Sequence, residues 1–486
     1  MTIRTSHPIL QRLIVPALAL LIAAASAQAD PLGNWRGAIG PGSLDLEIRV
    51  TLAADEDRTG LTGTIDIPAQ GLIGYPLADV VLNGSDVAFV MPDVPGGPTF
   101  DGVIEGDRID GTFVQSGQAL PFFLERDTDA GALRPQEPLP PFPYDQEEVT
   151  FASGDVTLAG TLTLPSGDGR VPALLLVTGS GPQDRNEEIV GHKPFLVIAD
   201  HLTRAGYAVL RVDDRGVGGS SGDDGAAGYD ELLGDVLAGV AYLRDHPRVD
   251  AERVGLLGHS QGGYLAPAAA VEADGAVAFA VLLAGPAVDG SSVLVLQNRR
   301  IIELAMRAAD PGVEDEEIEA AIASQIAFLD DLFPLLDAED YDGARALVRE
   351  RVESELGSLP AEQRPDEATV AEIIAANQVG VTAPSFRAFL LFDPQPYLRQ
   401  LTVPTLALFG SLDTQVIAEQ NEGPMREALA AAGNPDATVI TFSGLNHLMQ
   451  PATTGSPDEY GAIDVTIDPV VLETIGTWLQ ERFPVR

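Results

Sequence analysis

At a proline-rich stretch, residues 128–144, the patterning of this chain changes period, and that change constrains the fold more than any other feature. Pro135, Pro138, Pro140, Pro141 and Pro143 favour an extended, rather stiff linker over packed structure. In front of it, Leu44, Leu46, Ile48, Val50 and Leu52 alternate with Asp45, Glu47, Arg49 and Thr51, the pattern of a strand with one buried face. Two hairpin signals follow: Asn83-Gly84 between the apolar runs 79–82 and 87–90, and Gly106-Asp107 between 103–104 and 109–113. Residues 30–127 are therefore expected to form a small all-β domain, and they contain no catalytic constellation. Behind the prolines, strand candidates at 171–178, 207–213, 253–258, 277–284, 404–409 and 437–442 alternate with helical segments. That alternation predicts a doubly wound, mostly parallel sheet covered on both faces, occupying residues 145–486.

One segment interrupts this domain. Residues 286–396 read as helical, with Ile318, Ile322, Ile326, Leu329 and Phe333 in one apolar stripe at helical period. An insertion this long is no simple loop, and it falls where open α/β sheets place their ligands. It is expected to form a helical cap over the active site, with the stripe walling an apolar pocket.

Residues 1–29 read as a secretory signal: Arg4 and Arg12 precede an apolar run at 13–25, and Ala27-Gln28-Ala29 supplies a small-x-small cleavage site. The expected mature chain starts at Asp30 and resides in the periplasm or the medium. The apolar run contains Pro16 and is short for a bilayer span, and no later stretch is long and apolar enough to cross a membrane. The chain has no cysteine, which excludes disulfides, thiolate metal sites and a cysteine nucleophile. Its formal net charge of −43 would repel nucleic acid and anionic membranes, so neither is an expected partner. His192, His201 and His246 offer no metal-ligand spacing, and no metal or cofactor is expected.

Two segments match G-x-S-x-G: Gly258-His259-Ser260-Gln261-Gly262 and Gly218-Gly219-Ser220-Ser221-Gly222. A nucleophilic serine in this motif must sit on a sharp turn between a strand and a helix. Residues 253–257 and 263–266 supply that context for Ser260, whereas Ser220 has loop composition on both sides. A serine hydroxyl needs a base within hydrogen-bond reach, normally a histidine oriented by a carboxylate. His447 is the one histidine downstream of Ser260 and follows the last strand, so it is the expected base. Asp413 directly follows the strand 404–409 and is the expected orienting acid; Asp393, at the end of the insertion, is its nearest competitor. His259 reads as packing at the neck of the turn. Oxyanion donors, worth about 3 kcal/mol each, are expected from the backbone N–H groups of Gln261 and Ser180. A nucleotide-binding reading of residues 216–221 fails because the third glycine is missing.

Residues 176–185, Gly191-His192-Lys193-Pro194-Phe195, Asp213-Asp214-Arg215-Gly216, Gly258-His259-Ser260-Gln261-Gly262-Gly263 and Asn446-His447 together resemble exported bacterial α/β hydrolases of the carboxylesterase type. Members often carry a small β domain in front. The chain is similar, more distantly, to serine aminopeptidases and prolyl-oligopeptidase-like enzymes. The resemblance implies the α/β-hydrolase fold and the triad Ser260, Asp413 and His447, and it gives Lys193, the sole lysine, a family counterpart. Three readings stand. The first is a serine hydrolase of small acyl esters acting through an acyl-enzyme. The second is a serine peptidase or amidase, for which Glu187-Glu188 could hold a substrate ammonium. The third is a catalytically silent binding protein, which would ordinarily lack a triad member; none is missing here.

Overall fold

The period-two patterning in front of the prolines builds nine antiparallel strands in the computed structural model, which describes residues 32–40, 46–54, 61–67, 72–83, 85–92, 94, 97–115, 118–126, 134–358, 364 and 367–485. The signal segment 1–29, Leu44, the Gly84 turn position and residues 128–133 of the proline-rich stretch lie outside the described residues. The chain divides into two compact units, one ending at residue 133 and the other containing residues 134–486.

The first unit comprises β1 (Gly33–Ile39), β2 (Leu46–Ala54), β3 (Leu61–Ile67), β4 (Leu72–Pro76), β5 (Ala78–Asn83), β6 (Asp86–Val90), β7 (Thr99–Glu105), β8 (Arg108–Gln115) and β9 (Gln118–Arg126), in the order β4-β3-β2-β1-β9-β8-β7-β6-β5. Along β2, Ile48, Val50 and Leu52 are buried while Arg49 and Thr51 are exposed, because successive side chains point to opposite faces. The buried face joins Trp35, Phe89, Phe100, Ile109 and Leu124 in one core.

In the second unit, residues 134–143 are tied down by side chains. Gln136 donates to Ile467 O at 2.8 Å and accepts from Thr466 N–H at 2.7 Å, and Arg134 donates to Gly461 O at 2.8 Å. This half of the proline-rich stretch is a strap anchored by side-chain hydrogen bonds, where the composition predicts an extended, rather stiff linker. The difference arises because polar side chains between the prolines found backbone partners across the chain.

The strap enters a hairpin of β10 (Tyr144–Ser153) and β11 (Val156–Pro165), turning at Gly154 with φ +57°. This hairpin lies outside the expected strands, which begin at residue 171. In chain order follow β12 (Val171–Val177), α1 (Pro194–Arg204), β13 (Ala208–Val212), α2 (Tyr229–Asp245), β14 (Val249–His259), α3 (Gly262–Glu272) and β15 (Phe279–Leu283). The inserted helices are α4 (Gly290–Ala309), α5 (Asp315–Asp337), α6 (Tyr341–Ser358), α7 (Glu367–Val381), α8 (Pro384–Leu391) and α9 (Gln395–Leu398). The chain then closes with β16 (Thr405–Gly410), α10 (Ala418–Ala431), β17 (Ala437–Phe442) and α11 (Pro469–Arg482). The sheet order is β10-β11-β13-β12-β14-β15-β16-β17, antiparallel through β11 and β13 and parallel from there on. A strand buried on both faces has no reason to alternate, and accordingly β15 and β16 are buried at every position. The parallel strands deliver the loops after β12, β14, β16 and β17 to one edge of the sheet.

Within the insertion, Ile318, Ile322 and Ile326 of α5 pack with Ile302 and Met306 of α4, and Phe333 packs in a second cluster with Leu336, Val348 and Leu390. The stripe therefore builds the insertion's own core, correcting the expectation that it walls the pocket. Helical period reports that a face is buried and is silent on what buries it. Among the described residues, no helix is long and apolar enough to cross a membrane.

Candidate active site

Ser260 stands between the end of β14 and the start of α3 with φ +52°, a left-handed conformation that costs a non-glycine residue roughly 1–3 kcal/mol. The surroundings enforce it. Ser260 N–H donates to Leu283 O of β15 at 2.9 Å, and Gly263 N–H donates back to Ser260 O at 2.8 Å. The neighbouring glycines are steric requirements: a Cβ at Gly258 would lie 2.0 Å from Gly262 O, one at Gly262 2.1 Å from Val177 O, and one at Gly263 2.4 Å from Gly285 Cα. No side chain fits at those separations, so the turn can be this tight only with glycine at all three.

After β17, His447 Nδ1 lies 2.8 Å from Asp413 Oδ2, with the two side chains 4% and 0% exposed. Asp413 Oδ1 is occupied by the N–H groups of Gln415 at 2.8 Å and Val416 at 2.9 Å, which fixes the carboxylate and turns Oδ2 toward the histidine. With Nδ1–H donating to that carboxylate, Nε2 is the ring nitrogen left for another partner. The fully buried Asn446 shapes this loop: its Oδ1 accepts from Leu448 N–H at 3.0 Å and Gln450 N–H at 2.9 Å. Asp393, the competing acid, spends Oδ1 on Gln395 N–H at 2.9 Å, at the start of α9.

His259 is more than packing. Its Nδ1 lies 2.9 Å from Glu187 Oε1, its Nε2 lies 3.0 Å from the carbonyl oxygen of His447, and its ring centroid is 4.8 Å from that of His447. Glu187 Oε1 also accepts Gly179 N–H at 2.7 Å. Glu187 is only 1% exposed, so its suggested role of holding a substrate ammonium is not available to it. Glu188 lies 3.9 Å from Lys193, whose ammonium also meets the half-buried Glu137 at 3.1 Å.

The loop after β12 is braced from below by Asp214, which accepts from Thr178 Oγ1 at 2.7 Å and Gln183 N–H at 2.9 Å. Burial pushes the Asp214 carboxyl well above the usual carboxylate range, against the pull of those two hydrogen bonds. Within the loop Gly179 N–H is already committed to Glu187. Among the described residues, no protein acceptor takes the N–H of Ser180 or of Gln261. Both residues border, with Ser260, a cavity of about 800 Å³. Its apolar walls come from Val293 and Leu294 of α4 and from Phe386 and Phe389 of α8, and its polar side includes Arg215 and Asp224. The structure thus gathers Ser180, Ser260 and Gln261 on one cavity, with the bonded pair Asp413–His447 tied to the turn through His259. Sequence reasoning missed the Glu187–His259 contact and the aromatic wall. The only sequence signal for the wall is Phe386 and Phe389 three residues apart behind Pro384.

Comparisons with known proteins find similar sequences among hydrolases. The family described as serine aminopeptidase, S33, matches residues 193–326. An "Esterase EstD" from Thermotoga maritima is 29% identical over 336 residues, covering 68% of this chain and 68% of the relative. A "2-hydroxy-6-oxononadienedioate/2-hydroxy-6-oxononatrienedioate hydrolase" from Cupriavidus pinatubonensis is 28% identical over 278 residues, covering 57% of this chain and 81% of that relative. Among solved structures, the Pyrococcus furiosus esterase Pf2001 is similar with a TM-score of 0.41 at 15% identity, over 70% of this chain and 92% of its own.

Proposed function

Taking this chain as a carboxylesterase-like α/β hydrolase, we propose that it is a serine esterase that cleaves small acyl esters through an acyl-enzyme intermediate. The observation that carries the reading is the strained Ser260, open to a cavity of about 800 Å³ beside two N–H groups without protein acceptors. In this mechanism Ser260 Oγ attacks the ester carbonyl carbon as His447 Nε2 takes its proton, and Asp413 holds the ring and stabilises the imidazolium that forms. The tetrahedral oxyanion is received by the N–H groups of Ser180 and Gln261. Collapse expels the alcohol, which takes the proton from His447. Water then repeats the attack on the acyl-enzyme, again with His447 as base, and the carboxylic acid leaves.

Helices α4 to α8 act as the cap, and Leu294, Phe386 and Phe389 give the acyl group an apolar wall that favours chains of modest length. The alternative peptidase reading draws on the serine aminopeptidase match. Against it, the burial of Glu187 removes one of the two carboxylates suggested for gripping an amino terminus. Export through residues 1–29 belongs to the proposal, with the enzyme working in the periplasm or medium. The test is kcat/KM for p-nitrophenyl acetate, butyrate and octanoate beside alanyl and prolyl anilides. Every short ester should exceed both anilides, and an anilide preferred over all the esters would move the assignment to the peptidase.

A further inference from the structure

We propose that His259 is held as a buried imidazolium whose two N–H groups tie the oxyanion loop to the loop of the base, making Glu187 and His259 positioning residues for the reaction at Ser260. The proposal rests on the esterase reading for its catalytic consequence, though its physical core does not depend on it. Both ring nitrogens face acceptors: Glu187 Oε1 at 2.9 Å from Nδ1 and the carbonyl oxygen of His447 at 3.0 Å from Nε2. A neutral imidazole has one N–H, so either tautomer would press a bare nitrogen lone pair against an oxygen at hydrogen-bond distance. The doubly protonated ring satisfies both contacts.

The charge balance points the same way. Glu187 is 1% exposed, and its Oε2 has no hydrogen-bond partner, an expensive arrangement unless a positive charge lies alongside. It also sits at φ +52°, a second strained non-glycine residue next to the site. The groups facing the His259 ring are Glu187 from the loop after β12, the ring and carbonyl of His447 from the loop after β17, and the Asp413 charge from the loop after β16. Burial alone would lower the basicity of the ring; the Glu187 charge and its hydrogen bond override it, and the net direction is up.

This pair sits where the two halves of the machinery must meet. Glu187 Oε1 also takes Gly179 N–H at 2.7 Å, which sets the backbone just ahead of Ser180, a residue that borders the cavity. His259 fixes the backbone of His447 from the other side and is the residue directly before Ser260. Because the folded-state basicity is raised, the clamp is intact below the ordinary histidine value of about 6.5 and is lost as pH rises through the folded-state value. Its failure belongs to the alkaline side of the activity profile.

Ring-nitrogen NMR of 15N-histidine-labelled full-length protein tests the protonation state without reference to turnover. The expected result at pH 8 is one histidine with both nitrogens protonated, whose signals vanish in His259→Gln. A neutral His259 ring at pH 8 in active enzyme overturns the proposal. Kinetics tests the positioning role. Glu187→Gln keeps the acceptor oxygen and removes the charge, so the alkaline limb of kcat should move down by about one pH unit or more with KM within a few fold. His259→Gln should lower kcat by roughly 10- to 100-fold, the scale of losing a supporting hydrogen bond, and abolish that limb. Two folded variants with the wild-type kcat and pH profile, changed only in melting temperature, would reduce the pair to packing. Fluorophosphonate labelling of the same samples separates the two ideas: labelled Ser260 with a neutral His259 ring sinks the clamp alone, and absent labelling sinks the esterase reading while the NMR still decides the clamp.

Discussion

Two segments of this chain share the pattern Gly-x-Ser-x-Gly, and the fold puts them to opposite uses. Ser260 is forced by a strand, a helix and three glycines with no room for a Cβ into a left-handed turn on the cavity. Ser220, in the loop after β13, has its hydroxyl saturated: it donates to Asp213 O at 2.7 Å and accepts from Ala159 N–H of β11 at 2.8 Å. Its glycines serve the turn of a loop stapled to the antiparallel hairpin, and its neighbour Ser221 accepts Thr157 N–H at 2.8 Å in the same staple. The motif names five residue types. What separates the two segments is that the Ser220 hydroxyl is spent on backbone partners whereas Ser260 borders a cavity.

The comparison breaks most sharply at the two hydroxyls and their supports. Ser260→Ala should lower kcat on the order of a millionfold for p-nitrophenyl butyrate while the protein stays folded. Asp413→Asn should cost about 10⁴ in kcat, because the amide no longer fixes the required tautomer of His447. Retention of wild-type turnover in either variant would remove the corresponding residue from the mechanism.

The insertion offers a gentler version of the same contrast, since Phe389 borders the cavity whereas Ile318 is buried against Ile302 and Met306. Phe389→Ala should shift kcat/KM toward octanoate over butyrate by roughly tenfold, a change of about 1.4 kcal/mol in relative transition-state binding. Ile318→Ala should lower the melting temperature and leave chain-length preference unchanged, because it removes about 2–5 kcal/mol of packing from the insertion alone. If the two swapped phenotypes, the stripe would be the pocket wall after all.

The smallest effect on catalysis falls to Ser220→Ala. Turnover should stay within a few fold, with a melting temperature lower by a few degrees, since two buried hydrogen bonds worth about 1 kcal/mol each are lost.

These contrasts also mark what was legible in the sequence. The placement of Ser260 could be read because a strand pattern, a glycine-rich turn and a helix pattern are all local. His447 is expected by elimination and Asp413 from its position after β16, and the two side chains lie 2.8 Å apart. The Glu187–His259 pair could not be read, because it joins residues 72 apart in the chain and nothing local announces that a glutamate will be buried. The stripe on α5 announced its burial but not its partners, and the hairpin β10–β11 was hidden behind prolines that suggested a linker. Local geometry is written in local sequence; the pairing of distant elements is settled only when the sheet assembles.

Fluorophosphonate labelling followed by peptide mass spectrometry tests the central claim most directly. The account predicts one adduct per chain, on the peptide carrying Ser260, absent in Ser260→Ala and undiminished in Ser220→Ala. An adduct on Ser220, or an intact folded protein that takes no label, would contradict it.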